Sequence, residues 1–365
     1  MNTLNETKII VPAEHTESVA RAIFALEEGA FTKIICGAAN TNEKHVERLA
    51  LVYALSGVNV IDVAPSQTII QSAKAGIKKA SDLYNKNPEA FAHYKEPVLM
   101  VSLDAGDDLH FRKAEINYSK CSSCFECINS CPARALSTAY SSKGDSLKNL
   151  HPADEILQSA VQEDKKIQLN KDNCLGCGRC SEACLQNAIS FTKLSNSFDF
   201  DFKEIKSIEI HTGSSSIEEV KIFLELNAQL LTNIELLSFC VESKRFNTTE
   251  LLDYTSSLTE LIPQKVILQI DGVPMGATDK PSSSLQAVSA ATILVENKTN
   301  AYIQISGGTN YFTKKLVNQL DLKISGIGYG TFARKTILSY LDELEEIFIM
   351  QLQRIVNITT SLVVN

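Results

Sequence analysis

The stretch CSSCFECINSCP, residues 121–132, and its echo CLGCGRCSEACL, residues 174–185, decide how the rest of the chain is read. Cys121, Cys124, Cys127 and Cys131 follow the spacing C-x2-C-x2-C-x3-C, with Pro132 next; Cys174, Cys177, Cys180 and Cys184 repeat it with Leu185 in the proline's place. Thiolate is the soft ligand that iron-sulfur centres prefer, and three cysteines spaced by two residues let one tight loop wrap three corners of a cubane. The pattern predicts two [4Fe-4S] clusters. In two-cluster ferredoxins of this spacing the fourth cysteine of each run binds the other cluster. That wiring assigns Cys121, Cys124, Cys127 and Cys184 to one cluster, and Cys174, Cys177, Cys180 and Cys131 to the other. Zinc is the main competitor, yet zinc sites pair two C-x2-C units at longer separation and have no use for a repeated triple with a fourth ligand three residues on.

On both sides of this region strands alternate with helices. Strands are predicted at residues 32–36, 58–63 and 98–103 before it, with helices at 43–56 and 66–84. After it come strands at 207–210, 234–241, 266–270, 301–305 and 322–327, with helices at 217–230, 248–261, 284–295, 313–319 and 332–355. Such alternation implies parallel pairing, and three strands plus five make the eight that close a (β/α)8 barrel. The expected fold is thus α/β: a TIM-like barrel interrupted after its third strand by an α+β two-cluster ferredoxin-type domain. The expected domains are residues 1–110 (strands 1 to 3), 111–197 (the insertion) and 198–365 (strands 4 to 8). A doubly wound open sheet, or two separate half-domains, is the alternative. Within the insertion, residues 140–166 are rich in Ser, Lys, Asp and Glu and read as a solvated excursion with a short helix at 153–161, able to dock a partner.

The chain has 365 residues, 44% of them apolar, enough for one large core and a small second one. A formal net charge of -8 offers no basic field for nucleic acid. No segment approaches the apolar length of a membrane span. Cysteines that must stay reduced until metal is inserted point to the cytoplasm.

Glycines gather near the ends of the last two strands, as Gly307 and Gly308, then Gly326, Gly328 and Gly330. In barrels these loops often grip a phosphate through backbone N–H groups, so FMN or another phosphate-bearing ligand is a second expectation beside the reading that the glycines only turn the chain. Cys36, Asp62, Asp104, His211, Glu242, Asp271 and Asn310 fall at predicted strand ends and are expected around the same mouth. No nucleophile or base stands out among them, so the catalytic residues are unknown, and Cys36 and Cys240 read as buried apolar thiols. His110, Arg112 and Lys113 precede the first cysteine and are placed to tune a cluster.

Several segments resemble the LdpA (light-dependent period) family: FTKIICGAAN at 31–40, ALVYALSGVNVIDVA at 50–64, VSLD at 101–104 ahead of HFRKAE at 110–115, LQIDGVPM at 268–275, GGTN at 307–310 and GYGTFARK at 328–335. The resemblance covers nearly the whole chain in order. It implies an iron-sulfur protein that reports cellular redox state to a circadian clock, with the eight cysteines as ligands and clock proteins as partners. It leaves one site open to a [3Fe-4S] species. The function read here is an electron relay or redox sensor, with an electron donor or acceptor protein or a quinone as partner; the alternative is a barrel oxidoreductase fed by its own ferredoxin module.

Overall fold

The computed structural model describes residues 15–138, 167–194, 200–273, 275–276, 278, 280–341 and 349–363. Before the insertion the elements are α1 (Glu17–Glu27), β1 (Phe31–Ile35), α2 (Glu43–Leu55), β2 (Val60–Val63), α3 (Gln67–Lys86) and β3 (Val98–Asp104). The insertion holds β4 (Arg112–Ile116), α4 (Glu126–Ser130), β5 (Leu136–Thr138), β6 (Ile167–Leu169), α5 (Arg179–Glu182) and β7 (Ile189–Lys193). Then follow β8 (Ser207–His211), α6 (Ile217–Leu226), α7 (Ala228–Leu231), β9 (Leu236–Glu242), α8 (Thr248–Glu260), β10 (Ile267–Asp271), α9 (Leu285–Glu296), β11 (Tyr302–Ser306), α10 (Thr313–Gln319), β12 (Gly326–Tyr329), α11 (Thr331–Leu341) and α12 (Ile349–Val363).

Eight parallel strands close a barrel in the order β1, β12, β11, β10, β9, β8, β3, β2. The insertion interrupts it between β3 and β8, which still pair in parallel from Met100 with Ser207 to Asp104 with His211. The period-2 alternation of each strand sends its apolar residues outward. Ile34, Ile61, Val101, Ile208, Phe239, Leu268 and Ile303 pack with the helices into one large core. Helix starts are fixed locally: Ser216 with Glu219 and Asn247 with Glu250 form capping boxes at α6 and α8.

The inward residues are layered. At the N-terminal end Phe31, Val60, Val98, Met100, Leu236, Ile267 and Tyr302 form a second apolar cluster, closed by Val19, Ala22 and Leu26 of α1. The middle of the barrel is polar. Lys33 and Glu209 form a fully buried ion pair, Ser238 Oγ donates to Glu209 Oε2 at 2.8 Å, and Gln269 Nε2 donates to Glu209 Oε1 at 3.0 Å. Gln304 Nε2 continues the chain onto Gln269 Oε1 at 2.7 Å, and Ser102 Oγ donates to Asp62 Oδ1 at 2.8 Å. Burial pushes the Glu209 carboxyl up, but Lys33 and His211 more than reverse it and hold it at about 2. Among the described residues Asp62 has no such close cation, and burial together with Glu209 pushes its carboxyl up to about 7.

Four expectations need correction. Helix α1 was not foreseen. The 217–230 helix breaks at Asn227 into α6 and α7. The last strand lies later than residues 322–327, and the long last helix is two, α11 and α12, with 342–348 outside the described residues. The 140–166 excursion, with its expected helix at 153–161, also lies outside them.

Candidate metal centres and the barrel mouth

The two cysteine runs repeat as backbone as well as sequence. Ser123 and Phe125 in the first, Gly176 and Gly178 in the second, carry positive φ of 55°, 65°, 69° and 86° at matching offsets from the leading cysteine. Arg134 and Asn187, three residues past each fourth cysteine, follow at 50° and 47°. Left-handed residues turn the chain so that successive cysteines converge, and at 123 and 125 ordinary side chains accept a conformation that glycine takes freely. The turns end alike: Ala135 N–H points at Cys131 Sγ and Ala188 N–H at Cys184 Sγ, each at 3.3 Å. β4 pairs antiparallel with β7 and β5 with β6, around a small core containing Ala114, Ala135, Leu136, Ile167 and Ile189.

The fourth cysteine of each run sits with the other run. Cys121, Cys124, Cys127 and Cys184 line one cavity. Cys131 lies among Cys174, Cys177 and Cys180, close enough to act electrostatically on the last two. All ten cysteines are free thiols. Burial, then the neighbouring sulfurs, push the Cys180 thiol up to about 12, because four thiolates facing one another need positive charge between them. Two sets of four soft ligands, each with an N–H aimed at sulfur, fit iron-sulfur clusters.

The second run is clamped to the barrel. Buried Lys113 donates from Nζ to the carbonyls of Ala39, Lys171 (2.6 Å) and Cys174 (3.0 Å). Arg112 Nε donates to Gly176 O at 2.8 Å, and its guanidinium lies 4.1 Å from the centre of the Phe191 ring. From the loop after β1, Thr41 Oγ1 donates to Asp172 Oδ1 at 2.9 Å and Asn42 Nδ2 to Asn173 Oδ1 at 2.6 Å. Arg112 and Lys113 thus reach a cysteine loop as expected, though it is the second one. His110 does not: it turns back to the barrel mouth, because Asp108 holds both its backbone N–H (2.7 Å) and its Nδ1 (2.5 Å).

At that mouth His211 Nδ1 lies 3.3 Å from Asp108 Oδ2, and His110 Nε2 lies 3.9 Å from Asp271 Oδ2. Burial opposes charge on His110, but Asp108 outweighs it and raises the imidazole above its ordinary value. His110 and His211 in turn overcome the burial of Asp108 and hold its carboxyl well below the ordinary range. Asp108, His110 and His211 offer ligand atoms within 4.8 Å of one another. The 2.5 Å contact between Asp108 and His110 is nevertheless that of a hydrogen bond, not of two ligands on one ion.

Of the seven strand-end residues, His211 and Asp271 line the mouth cavity. Asp62 is buried in the barrel interior, Asp104 Oδ1 accepts the N–H of Gly106 at 3.0 Å, and Glu242 pairs with Lys244 at 3.4 Å. Asn310 Nδ2 braces the carbonyls of Thr278 and Lys280. Cys36 is buried and its thiol is pushed up to about 12 by that burial, whereas Cys240 is not in apolar surroundings: Gln269 Nε2 lies 3.4 Å from its sulfur. Sequence reasoning missed Lys33, Asp108, Glu209, Gln269 and Arg334; the alternation in SIEIH (207–211) and ILQID (267–271) was the available signal for Glu209 and Gln269.

The glycines divide. Gly326 and Gly328 are strand residues of β12, not loop residues; a Cβ on Gly328 would lie 2.7 Å from Gln304 Nε2 and one on Gly326 2.5 Å from Phe31 O. They make room for the interior side chains. Gly307 and Gly308 turn at φ of 62° and 88° and pack on Gly272 and Ser283, and together with Gly330 they line the mouth cavity.

Residues 201–363 match the family of the light dependent period A C-terminal domain, and residues 120–188 match the 4Fe-4S dicluster domain. Light dependent period A of Synechococcus elongatus is 29% identical over 343 residues, spanning 88% of this chain and 85% of that protein. Among solved structures, the YdjI aldolase of Escherichia coli K12 shows 10% identity and a TM-score of 0.39 over 95% of this chain and 93% of its own. The carboxyl transferase domain of Rhizobium etli pyruvate carboxylase shows 9% and 0.40 over 98% and 53%. Likeness at that level carries no argument about chemistry. The chain is thus similar to LdpA over most of its length, with a segment that matches the 4Fe-4S dicluster domain set into a barrel whose C-terminal part matches the light dependent period A C-terminal domain.

Proposed function

We propose that Cys121, Cys124, Cys127 and Cys184 hold one [4Fe-4S] cluster, that Cys174, Cys177, Cys180 and Cys131 hold a second, and that the protein serves as a one-electron relay or redox sensor. The observation that carries this is the exchange of the fourth cysteines between two loops of matching backbone. Each cluster, when bound, supplies reversible one-electron chemistry. The chain's own residues hold the donors in place, bring N–H groups to sulfur, and fix the second loop on the barrel through Lys113 and Arg112. Partners follow from that role: an electron donor or acceptor protein or a quinone, and clock proteins as the resemblance to the LdpA family implies. No described helix is long and apolar enough to cross a membrane, and the ten free thiols favour the cytoplasm.

The oxidoreductase reading, with FMN, has less support. The enclosed space at the mouth is about 50 Å³, room for a few water molecules and far below the size of cofactor clefts. A spectroelectrochemical titration of anaerobically purified protein tests the proposal. Two reversible one-electron waves are expected without added substrate. Zinc in place of iron, or clusters that reduce only on unfolding, would overturn it.

A further inference from the structure

Arg334, in the first turn of α11, is a buried cation with no ion-pair partner among the described residues; buried Asp62 acts on it only from beyond ion-pair distance. Its side chain is 8% exposed, and among the described residues no carboxylate lies within 4 Å of it. Nη1 donates to Ile35 O at 2.5 Å and Nη2 to Thr331 Oγ1 at 3.0 Å, while Nε has no hydrogen-bond partner among the described residues. Buried charges are normally paired, so this one calls for an anion. Two places can supply it. On one side is the second cysteine set: Nη1 and Leu175 flank the same glycine, Gly37, and after Cys36 the sulfur of Cys177 is the next charge felt by the guanidinium. On the other is the mouth cavity, which Arg334 lines together with Gly330 and Thr331 at the N-terminal end of α11, where free backbone N–H groups also favour negative charge.

Another part of the cavity lining asks for a donor instead. Asp271 Oδ1 is buried with no hydrogen-bond partner among the described residues, and His110 Nε2 stands 3.9 Å from Oδ2. An enclosed space of about 50 Å³ lined by a cation and a carboxylate suits a molecule of few heavy atoms with an oxyanion at one end and a donor at the other.

We propose that the mouth cavity binds a small hydroxy- or aminocarboxylate, its carboxylate on Arg334 and its donor on Asp271, and that Arg334 couples occupancy to the electron count of the set formed by Cys131, Cys174, Cys177 and Cys180. The coupling rests on the two-cluster reading above; the binding does not. An electron added beside Arg334 competes with the bound anion for the same cation, so reduction weakens binding, and by linkage binding lowers the potential.

The test uses full-length, iron-loaded protein under anaerobic conditions, with glycolate, glycine and acetate as probes in calorimetry and redox titration. Glycolate is expected to bind the oxidised protein about fivefold or more tighter than the dithionite-reduced protein. At about 59 mV per tenfold for one electron, that converts to a fall of about 40 mV in the potential of one cluster, the other staying put. Acetate, lacking a donor, should bind more weakly. Arg334→Gln should abolish the anion dependence while both EPR signals persist; should that variant not fold, Asp271→Asn should keep acetate binding and lose the preference for glycolate. Intact, reversible clusters with no heat of binding from glycolate or glycine would overturn the site, and binding that moves neither potential would overturn the coupling. Failure to form clusters would refute the earlier reading alone, since calorimetry still tests the cavity.

Discussion

The two cysteine loops share one spacing and one backbone course, yet they live in different surroundings. In the 121–127 loop Cys124 is exposed and Cys127 is the buried cysteine; in the 174–180 loop Cys174 and Cys180 are both buried. The first loop takes its left-handed turns with Ser123 and Phe125. The second needs glycine, because a Cβ at Gly176 would stand 2.4 Å from Arg112 O. N–H groups aim at Cys174 and Cys131 in the second set and at Cys184 in the first, and further backbone hydrogen bonds reach Cys177 and Cys180 in the second and Cys127 in the first. On the proposed wiring, the shared spacing sets which cysteines belong together, whereas packing sets their electrostatics. Burial of a charged cluster lowers its potential, but Lys113, Arg334 and the extra N–H groups oppose that directly, so the second cluster should be the more easily reduced.

The largest expected effect tests the wiring. In a Cys121→Ser background, adding Cys184→Ser should cost no further iron, since both serve one cluster, while adding Cys131→Ser should remove the rest. The reverse outcome, by iron assay of purified variants, would place each fourth cysteine with its own run and erase the exchange on which the comparison stands.

Next comes the barrel beneath the second set. Burial raises Asp62 from 3.8 to about 7, so between those values the folded protein holds a proton that the unfolded chain releases. Stability from this group therefore falls as pH rises from 4 to 7. Asp62→Asn removes the penalty, and its stability relative to the parent should climb by on the order of 3 kcal/mol between pH 4 and pH 8, read by urea denaturation. A pH-independent difference would show that Asp62 ionises normally. A smaller change should follow from Lys113→Met: loss of roughly 2 kcal/mol and a lower potential for the second cluster only. Equal shifts in both clusters would deny that the loops differ in support.

Much of this was legible beforehand. The cysteine spacing, three strands before the insertion and five after it, and the ferredoxin-type module all follow from spacing and period. Other features were hidden for physical reasons. Helix α1 carries a short, alanine-rich face, Val19, Ala22, Ala25 and Leu26, whose purpose appears only once the barrel floor exists to receive it. The last strand was displaced because Leu322 and Ile324 look like strand residues, while Gly326 and Gly328 look like a loop; in the fold the glycines clear space for Gln304 and Phe31. His110 stands near the first cysteine in sequence, but β4 lies between them and Asp108 turns it to the mouth. Arg334 gave no local signal at all, since its unpartnered Nε and its place across Gly37 from Leu175 arise only in the fold.

Analysis of iron and acid-labile sulfide on anaerobically purified protein, read beside the EPR of the reduced form, tests the central claim most directly. Two clusters held by exchanged cysteines predict about eight iron and eight sulfide per chain, with the signals of two neighbouring, interacting centres on full reduction. About four of each with a single isolated signal, or zinc and no sulfide, would contradict it.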